Sequence, residues 1–274
     1  MEVGVKIAFV GDVVGKPGRL AVRSLLPKLI TDSSEFDAII INGENSSGFR
    51  GITHRIFKEL IRAGATVVTT GNHVWAQQDV FNFIDDEPRI VRPANYPAGV
   101  PGRGFTVVTL NDGRKLGVIN LAGQLFMPSF DNPFRALDRI LPQVVSEADS
   151  IIVDFHAEAT SEKIAMGWYA DGRVSAVVGT HTHVQTADER VLPKGTAYIT
   201  DVGMTGPHDS VLGIRTHLVL ENFSTMLPSR FQTAEGDIKL CGVTMKIDNK
   251  TGKAESIDRF QLSLPRDLPI SDRS

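Results

Sequence analysis

Three short apolar runs, Val5 to Val10, Phe36 to Ile41 and Ala65 to Thr70, alternate with segments of helical spacing near Arg19 to Leu29 and Thr53 to Ala63. Runs this short, apolar at nearly every position, read as strands covered on both faces. The connections between them are too long for hairpins and suit crossover helices. A β-α-β-α-β order of this kind dictates a parallel sheet with right-handed crossovers, which confines the chain to the α/β class. Thr53 is the N-cap expected for the second helix, and a third helix is expected from Gln77 to Ile84. The lengths also bound the domain count: 274 residues fit one domain spanning 1–274.

Each run stops at a polar cluster. Gly11-Asp12 follows the first, Asn42-Gly43-Glu44-Asn45 the second and Gly71-Asn72-His73 the third. The pattern returns later, where Ser150 to Val153 leads into Asp154-Phe155-His156, and Val174 to Val178 leads into Gly179-Thr180-His181-Thr182-His183. Ligands in α/β folds collect at the carboxyl ends of the strands. A plain turn explains the Gly and Ser residues of such loops but not Glu44. His181 and His183, two apart in extended backbone, project to one side and form a natural metal anchor.

Between the two series lies a passage rich in Pro and Gly, from Pro88 to Gly104. The strands Gly104 to Leu110 and Lys115 to Leu121 follow, joined through Asp112-Gly113 as a hairpin that opens a second sheet. Helices are expected over Asn132 to Ser146, ended or interrupted near Pro142, and over Ser161 to Tyr169 with Thr160 as its cap. Downstream, Gln185 to Ala187, Glu189 to Leu192 and Thr196 to Ile199 read as short antiparallel strands. Gly203 to His208 reads as a flexible loop, His217 as a strand residue and Ser224 to Asp237 as a stretch without periodicity. Cys241 to Ile247 and Ala254 to Leu262 form a terminal hairpin.

Composition excludes several function classes. The net charge of −3 offers no electrostatic surface for duplex nucleic acid or anionic lipid. No apolar run reaches the ~18 residues of a membrane span, and the start lacks a signal-peptide pattern. The single cysteine, Cys241, permits no internal disulfide and fits a reducing, cytoplasmic setting; its apolar flanks read as core. Gly11 to Gly18 lacks the spacing and the Ser or Thr of a phosphate loop. His156 and Glu158 lack the Cys pair of zinc deaminases, and no serine-hydrolase elbow occurs.

The strand-end donors Asp12, Glu44, Asn45, Asn72, His73, His156, His181 and His183 are all oxygen or nitrogen ligands. Together they suit two divalent ions sharing a carboxylate. Such a pair, about 3.5–4 Å apart, clamps both oxygens of an in-line displacement at phosphorus. A shell without thiolates suits iron, manganese or zinc and gives no choice among them.

The residues and their order resemble the calcineurin-like metallophosphoesterase superfamily, with two departures. Asp12-Val13-Val14 lacks the second-position His of the usual Asp-x-His, and Glu44 stands where a bridging Asp is usual. Those departures resemble the YmdB-like branch, known for Gly-Asp-Val-x-Gly, Asn-Gly-Glu-Asn, Gly-Asn-His and His-x-His, and the likeness covers most of the chain. The resemblance implies a four-layer α/β/β/α sandwich with two mixed sheets. It puts Asp12, Glu44, Asn45 and His183 on a first metal. Glu44 would bridge to a second completed by Asn72, His156 and His181. Asn45 would fill the gap left by the absent His. His73 would be the catalytic acid rather than a ligand, since adjacent residues Asn72 and His73 cannot easily aim at one ion.

The implied activity is metal-dependent hydrolysis of 2′,3′-cyclic nucleotides to 3′-nucleotides by a metal-bound hydroxide, with two divalent or mixed-valence ions, iron or manganese foremost. A small phosphodiester or nucleotide is the expected partner, with no duplex and no membrane; self-association is left open. The rivals are a phosphomonoesterase or protein phosphatase of the same superfamily, and a regulatory partner-binding protein with a structural metal site. Trp75, Trp168 and Tyr169 are the rings available to stack on a base, each with core packing as the commoner role.

Overall fold

The computed structural model describes residues 4–32 and 36–265. The chain opens as expected, with β1 (Val5–Val10), α1 (Gly15–Asp32), β2 (Ala38–Asn42), α2 (His54–Arg62) and β3 (Val67–Thr69). Thr53 caps α2, its side chain accepting from the Ile56 amide. β1 pairs β2 and β2 pairs β3, both in parallel. β4 (Ile90–Val91) extends this sheet.

The second series repeats the arrangement. β5 (Phe105–Thr109) and β6 (Lys115–Ala122) form the antiparallel hairpin expected around Asp112-Gly113. α3 (Pro133–Val145), β7 (Ser150–His156), α4 (Thr160–Ala170) and β8 (Ala176–Thr180) follow. β6, β7 and β8 are parallel neighbours. β9 (Arg190–Val191) and β10 (Ala197–Ile199) complete that sheet. β11 (Gly206–Pro207) returns to the first sheet. After α5 (Thr216–Thr225), β12 (Ile238–Ile247) and β13 (Ala254–Ser263) close the first sheet as a hairpin. The strand orders are β11-β12-β1-β2-β3-β4, with β13 on β12, and β5-β6-β7-β8-β10-β9. Both sheets are mixed.

Side-chain alternation turns these two sheets into four layers. Along β1, Ala8 and Val10 pack with Val22 and Leu26 of α1 and with Phe57 and Leu60 of α2. Val5, Ile7 and Phe9, on the opposite face, meet Val118, Ile152 and Val178 of the other sheet. There Ile151, Val153 and Phe155 of β7 turn outward onto Leu137 and Leu141 of α3 and Met166 of α4. Three apolar seams thus join helices, sheet, sheet and helices. The period of two in each strand is what lets one run feed two seams.

Several local expectations fail: Thr160 lies inside α4, whose N-cap is Ala159, Gln185 to Ala187 forms no strand, and His181 and His183 are not in extended backbone. The helix expected over 77–84 is two short 3-10 turns, Val74–Ala76 and Gln78–Asn82, because Gln77 between them is extended. Pro142 does not end α3. His217 lies in α5, not in a strand. The chain pairs only at the ends of that excursion, through Ile214↔Thr233 and the Arg215 amide on Gln232 O at 3.0 Å. With no strand partner between them, the backbone satisfies itself as helix. Finally, Gly203 to His208 is not a free loop. Thr205 N donates to Asp12 O at 2.8 Å and Val14 N to Thr205 O at 2.9 Å, so it is laced to the end of β1. No helix among the described residues is long and apolar enough to cross a membrane.

Candidate functional site

All eight polar residues singled out from the sequence converge at the carboxyl ends of β1, β2, β3, β7 and β8, where the two sheets meet. The centre is His156, wholly buried at the end of β7. Its Nε2 lies 3.0 Å from Glu44 Oε1, 3.1 Å from Asn72 Oδ1 and 3.1 Å from His181 Nδ1. Glu44, His156 and His181 bring one ligand atom each within 4.8 Å of one another. A second group surrounds His183 Nε2, with Asn45 Oδ1 at 3.3 Å and Asp12 Oδ1 at 4.0 Å. His73 stands at the rim with its side chain 28% exposed; its Nδ1 is 3.1 Å from Glu44 Oε1 and its amide donates to Glu44 Oε2 at 3.1 Å.

Hydrogen bonds behind the three histidines determine which nitrogen faces inward. Thr180 Oγ1 donates its only proton to Asp154 Oδ1 at 2.7 Å, so its contact with His156 Nδ1 at 2.8 Å must be accepted from an N–H. In the neutral ring His156 Nε2 therefore carries the lone pair. His181 Nε2 lies 3.2 Å from Glu158 Oε2, and donation there leaves Nδ1 bare. His183 Nδ1 donates to Leu212 O at 3.3 Å, which bares Nε2. Three lone pairs aimed at one space, each fixed by a partner on the far side of its ring, are the arrangement of metal-ligating imidazoles.

Charge points the same way. Asp12 and Glu44 are buried, and their only ion-pair partners among the described residues are histidines. Burial raises the Asp12 carboxyl, with His183 and His156 opposing. Burial acts upward on Glu44 too, but His156 and His73 outweigh it and hold this carboxyl well below the usual range. Burial acts downward on His156, yet Glu44, Asp12 and Asp154 bring it up to about 9. Burial and the neighbouring His156 drive His181 down to about 3. The positive charge these carboxylates draw comes from histidine protons, His156 foremost, and its Nε2 is where a metal would take a proton's place. Asp12 Oδ1, buried, has no hydrogen-bond partner at all. An orphaned carboxylate oxygen beside bare imidazole nitrogens and amide oxygens fits a hard or borderline divalent cation.

Backbone geometry holds this crowding in place. A Cβ at Gly71 would fall 2.2 Å from Glu44 Oε2 and 2.4 Å from the His156 ring, so only glycine admits both side chains. His181 and His183 sit at φ of 96° and 66°, conformations that non-glycine residues adopt at a cost of roughly 1–3 kcal/mol each. Thr182 between them is tied down by Asp201, whose Oδ2 accepts from Thr182 N at 3.0 Å and Thr182 Oγ1 at 2.6 Å. Asp201 is paired in turn with the buried Lys163 Nζ at 2.7 Å.

Residues 8–260 match the family described as YmdB-like protein. The chain belongs to the YmdB-like family. A 2′,3′-cyclic-nucleotide 2′-phosphodiesterase of Bacillus subtilis (strain 168) is 53% identical over 258 residues, which is 94% of this chain and 97% of that protein. A crystal structure of a hypothetical protein from Thermus thermophilus superposes with a TM-score of 0.88 at 41% identity, covering 95% of this chain and 100% of that one. A structure described as a novel phosphatase from Mycoplasma pneumoniae gives 0.90 at 34% identity, covering 96% and 95%.

Within this YmdB-like chain, several supporting residues escaped the sequence reading. Asn42 and Thr180 stand inside the motifs, yet nothing in their spacing announced that both converge on Asp154. Asn42 Nδ2 donates to Asp154 Oδ2 at 3.0 Å. Lys163 and Asp201, 38 positions apart, gave no signal. Trp75, Trp168 and Tyr169 do not line the cleft that holds the cluster; Phe49 and Phe231 do. Trp75 instead stacks on Phe81, and Trp168 lies under Arg190. His208 binds Met204 O and Cys241 Sγ, outside that cleft.

The Thr180 hydroxyl offers a direct test. Thr180→Val keeps the shape and removes the acceptor, and should weaken manganese binding by about 10–100-fold. Thr180→Ser should restore it. Calorimetric titration of the metal-free protein reads both, and equal affinity in all three proteins would rule out the relay.

Proposed function

We propose that the chain hydrolyses 2′,3′-cyclic nucleotides to 3′-nucleotides. It is a hydrolase acting on phosphoric diesters, of the metallophosphoesterase type. The observation that carries the narrower reading is the cluster around His156, in which a buried carboxylate, an amide and a second imidazole surround one bare nitrogen. The B. subtilis relative's name supplies the substrate class.

Two ions fit the two groups of ligands. Asp12, Asn45 and His183 would hold the first, and Asn72, His156 and His181 the second, with Glu44 serving both. The chemistry such a pair supplies is a lowered pKa for water and neutralisation of phosphate charge. Iron or manganese suits this oxygen- and imidazole-rich shell. His73 Nδ1 faces Glu44, leaving Nε2 to carry a proton toward the departing O2′. As the water oxygen bonds to phosphorus, the P–O2′ bond breaks, O2′ takes the His73 proton, and the phosphate stays on O3′ with one of the water's protons, while the other, shed to solvent, balances the proton that restores His73. Both sheets contribute residues to the cluster, which supports reading the chain as one catalytic domain. The lone cysteine, Cys241, is buried and free, in keeping with a reducing cytoplasm.

A substrate panel tests this reading. The metal-loaded protein is expected to open 2′,3′-cyclic AMP to 3′-AMP far faster than it cleaves an aryl phosphomonoester or a phosphopeptide. Chromatography of the products distinguishes 3′- from 2′-AMP. Cleavage of the phosphopeptide alone would return the assignment to a protein phosphatase.

A further inference from the structure

The candidate metal cluster shares its cleft with several apolar side chains. This cleft has a volume of about 600 Å³, within the range of small-ligand sites, and is lined by Glu44, His73 and His183 together with Phe49, Ile214 and Phe231. The backbone of this apolar lining is bonded directly to the cluster. Phe49 O accepts from Asn45 Nδ2 at 2.6 Å, and Leu212 O accepts from His183 Nδ1 at 3.3 Å. Phe231 is not on a free loop. Ile214 and Thr233 form an antiparallel bridge, and Ala234 N donates to Gly213 O at 2.8 Å, so residues 212–215 and 231–234 make a paired ledge.

Phe231 is 41% exposed and lies outside all three apolar seams, as does Phe49. A phosphodiester held at the metal cluster would place an apolar substituent against Phe49 and Phe231. In a cyclic nucleotide that substituent is the base. Gln77, which lines the same cleft, gives its amide to Arg50 O at 2.9 Å.

We propose that Phe231 and Phe49 form a nucleobase site that holds the base by its face, making Phe231 a binding determinant common to purine and pyrimidine substrates. This rests on the cyclic-nucleotide reading above. Stacking on an aromatic side chain is tolerant of sequence because every base has a π-face.

The test compares metal-loaded wild-type, Phe231→Ala and Phe231→Tyr proteins on 2′,3′-cyclic AMP, 2′,3′-cyclic UMP and 1-O-methylribose 2′,3′-cyclic phosphate, which has no base. Phe231→Ala should raise KM for both nucleotides by about tenfold to a hundredfold with kcat unchanged, the mark of lost uniform binding. Phe231→Tyr should recover it, and the baseless diester should be indifferent to both changes. Calorimetric binding of 3′-AMP should weaken in parallel, and Phe49→Ala should act in the same direction. Unchanged KM for the nucleotides in both alanine variants, or an equal rise for the baseless diester, would overturn the base site while leaving the diesterase assignment standing. A wild-type protein that opens none of the three cyclic diesters would remove both.

Discussion

Replacing His73 by alanine is expected to slow opening of 2′,3′-cyclic nucleotides by about 10²–10⁴-fold while the metal content of the purified protein stays the same. The expectation comes from where His73 stands. It is the one imidazole of the group at the rim, 28% exposed, whereas His156 at the centre is wholly buried. Its Nδ1 and its amide both rest on Glu44, which aims Nε2 into the cleft. The O2′ alkoxide is a poor leaving group and needs a proton as it departs. A p-nitrophenolate does not, so a p-nitrophenyl diester should lose much less rate in the same variant. That contrast separates an acid from a ligand: removal of a ligand slows both substrates and lowers the metal content. Equal losses on the two diesters together with depleted metal would place His73 on an ion instead.

Lys163→Ala should destabilise the protein by about 3–5 kcal/mol, the usual consequence of stranding one member of a buried ion pair. Lys163 and Asp201 are 1% and 0% exposed and 2.7 Å apart, so without Lys163 the buried Asp201 carboxylate keeps only neutral donors, from Thr182 and Gly203, and no counter-charge. Urea unfolding followed by circular dichroism reads this directly. The second effect is functional. Asp201 also holds Thr182 between two histidines in left-handed backbone, and that conformation persists only where the surroundings impose it. The double variant Lys163→Met, Asp201→Leu should regain much of the lost stability, since an apolar pair often substitutes for a buried ionic one. It should not regain turnover, because the Thr182 amide has lost its acceptor. A double variant as active as wild type would show that the His-x-His turn holds itself.

These two expectations mark the boundary of what could be read without coordinates. β1, the hairpin of β5 and β6, α2 with its Thr53 cap and the terminal hairpin were legible because each is a local pattern: a run of one period, a turn dipeptide, a cap. His217 was misread as a strand residue because its backbone partners are settled by what happens at residues 214 and 233, not by local spacing. Segment 203–208 was misread for a similar reason, since its bonds run to Asp12 and Val14. The polar strand ends could be picked out as a group, but the hydrogen bonds that orient them could not. Phe231 was passed over because an isolated Phe in an aperiodic stretch looks like any other.

The order of residues alone determined an α/β chain whose polar groups stand at strand ends, because burying both faces of a strand demands a continuous apolar run and leaves polarity only where the run stops. The tertiary structure alone decided which nitrogen of each histidine is bare, that Asp12 Oδ1 is left without a partner, and that Lys163 supports a turn far away in sequence. Those outcomes depend on distances of about 3 Å between groups on different elements, at the scale where hydrogen bonds form or fail. No periodicity in a single chain encodes separations of that kind.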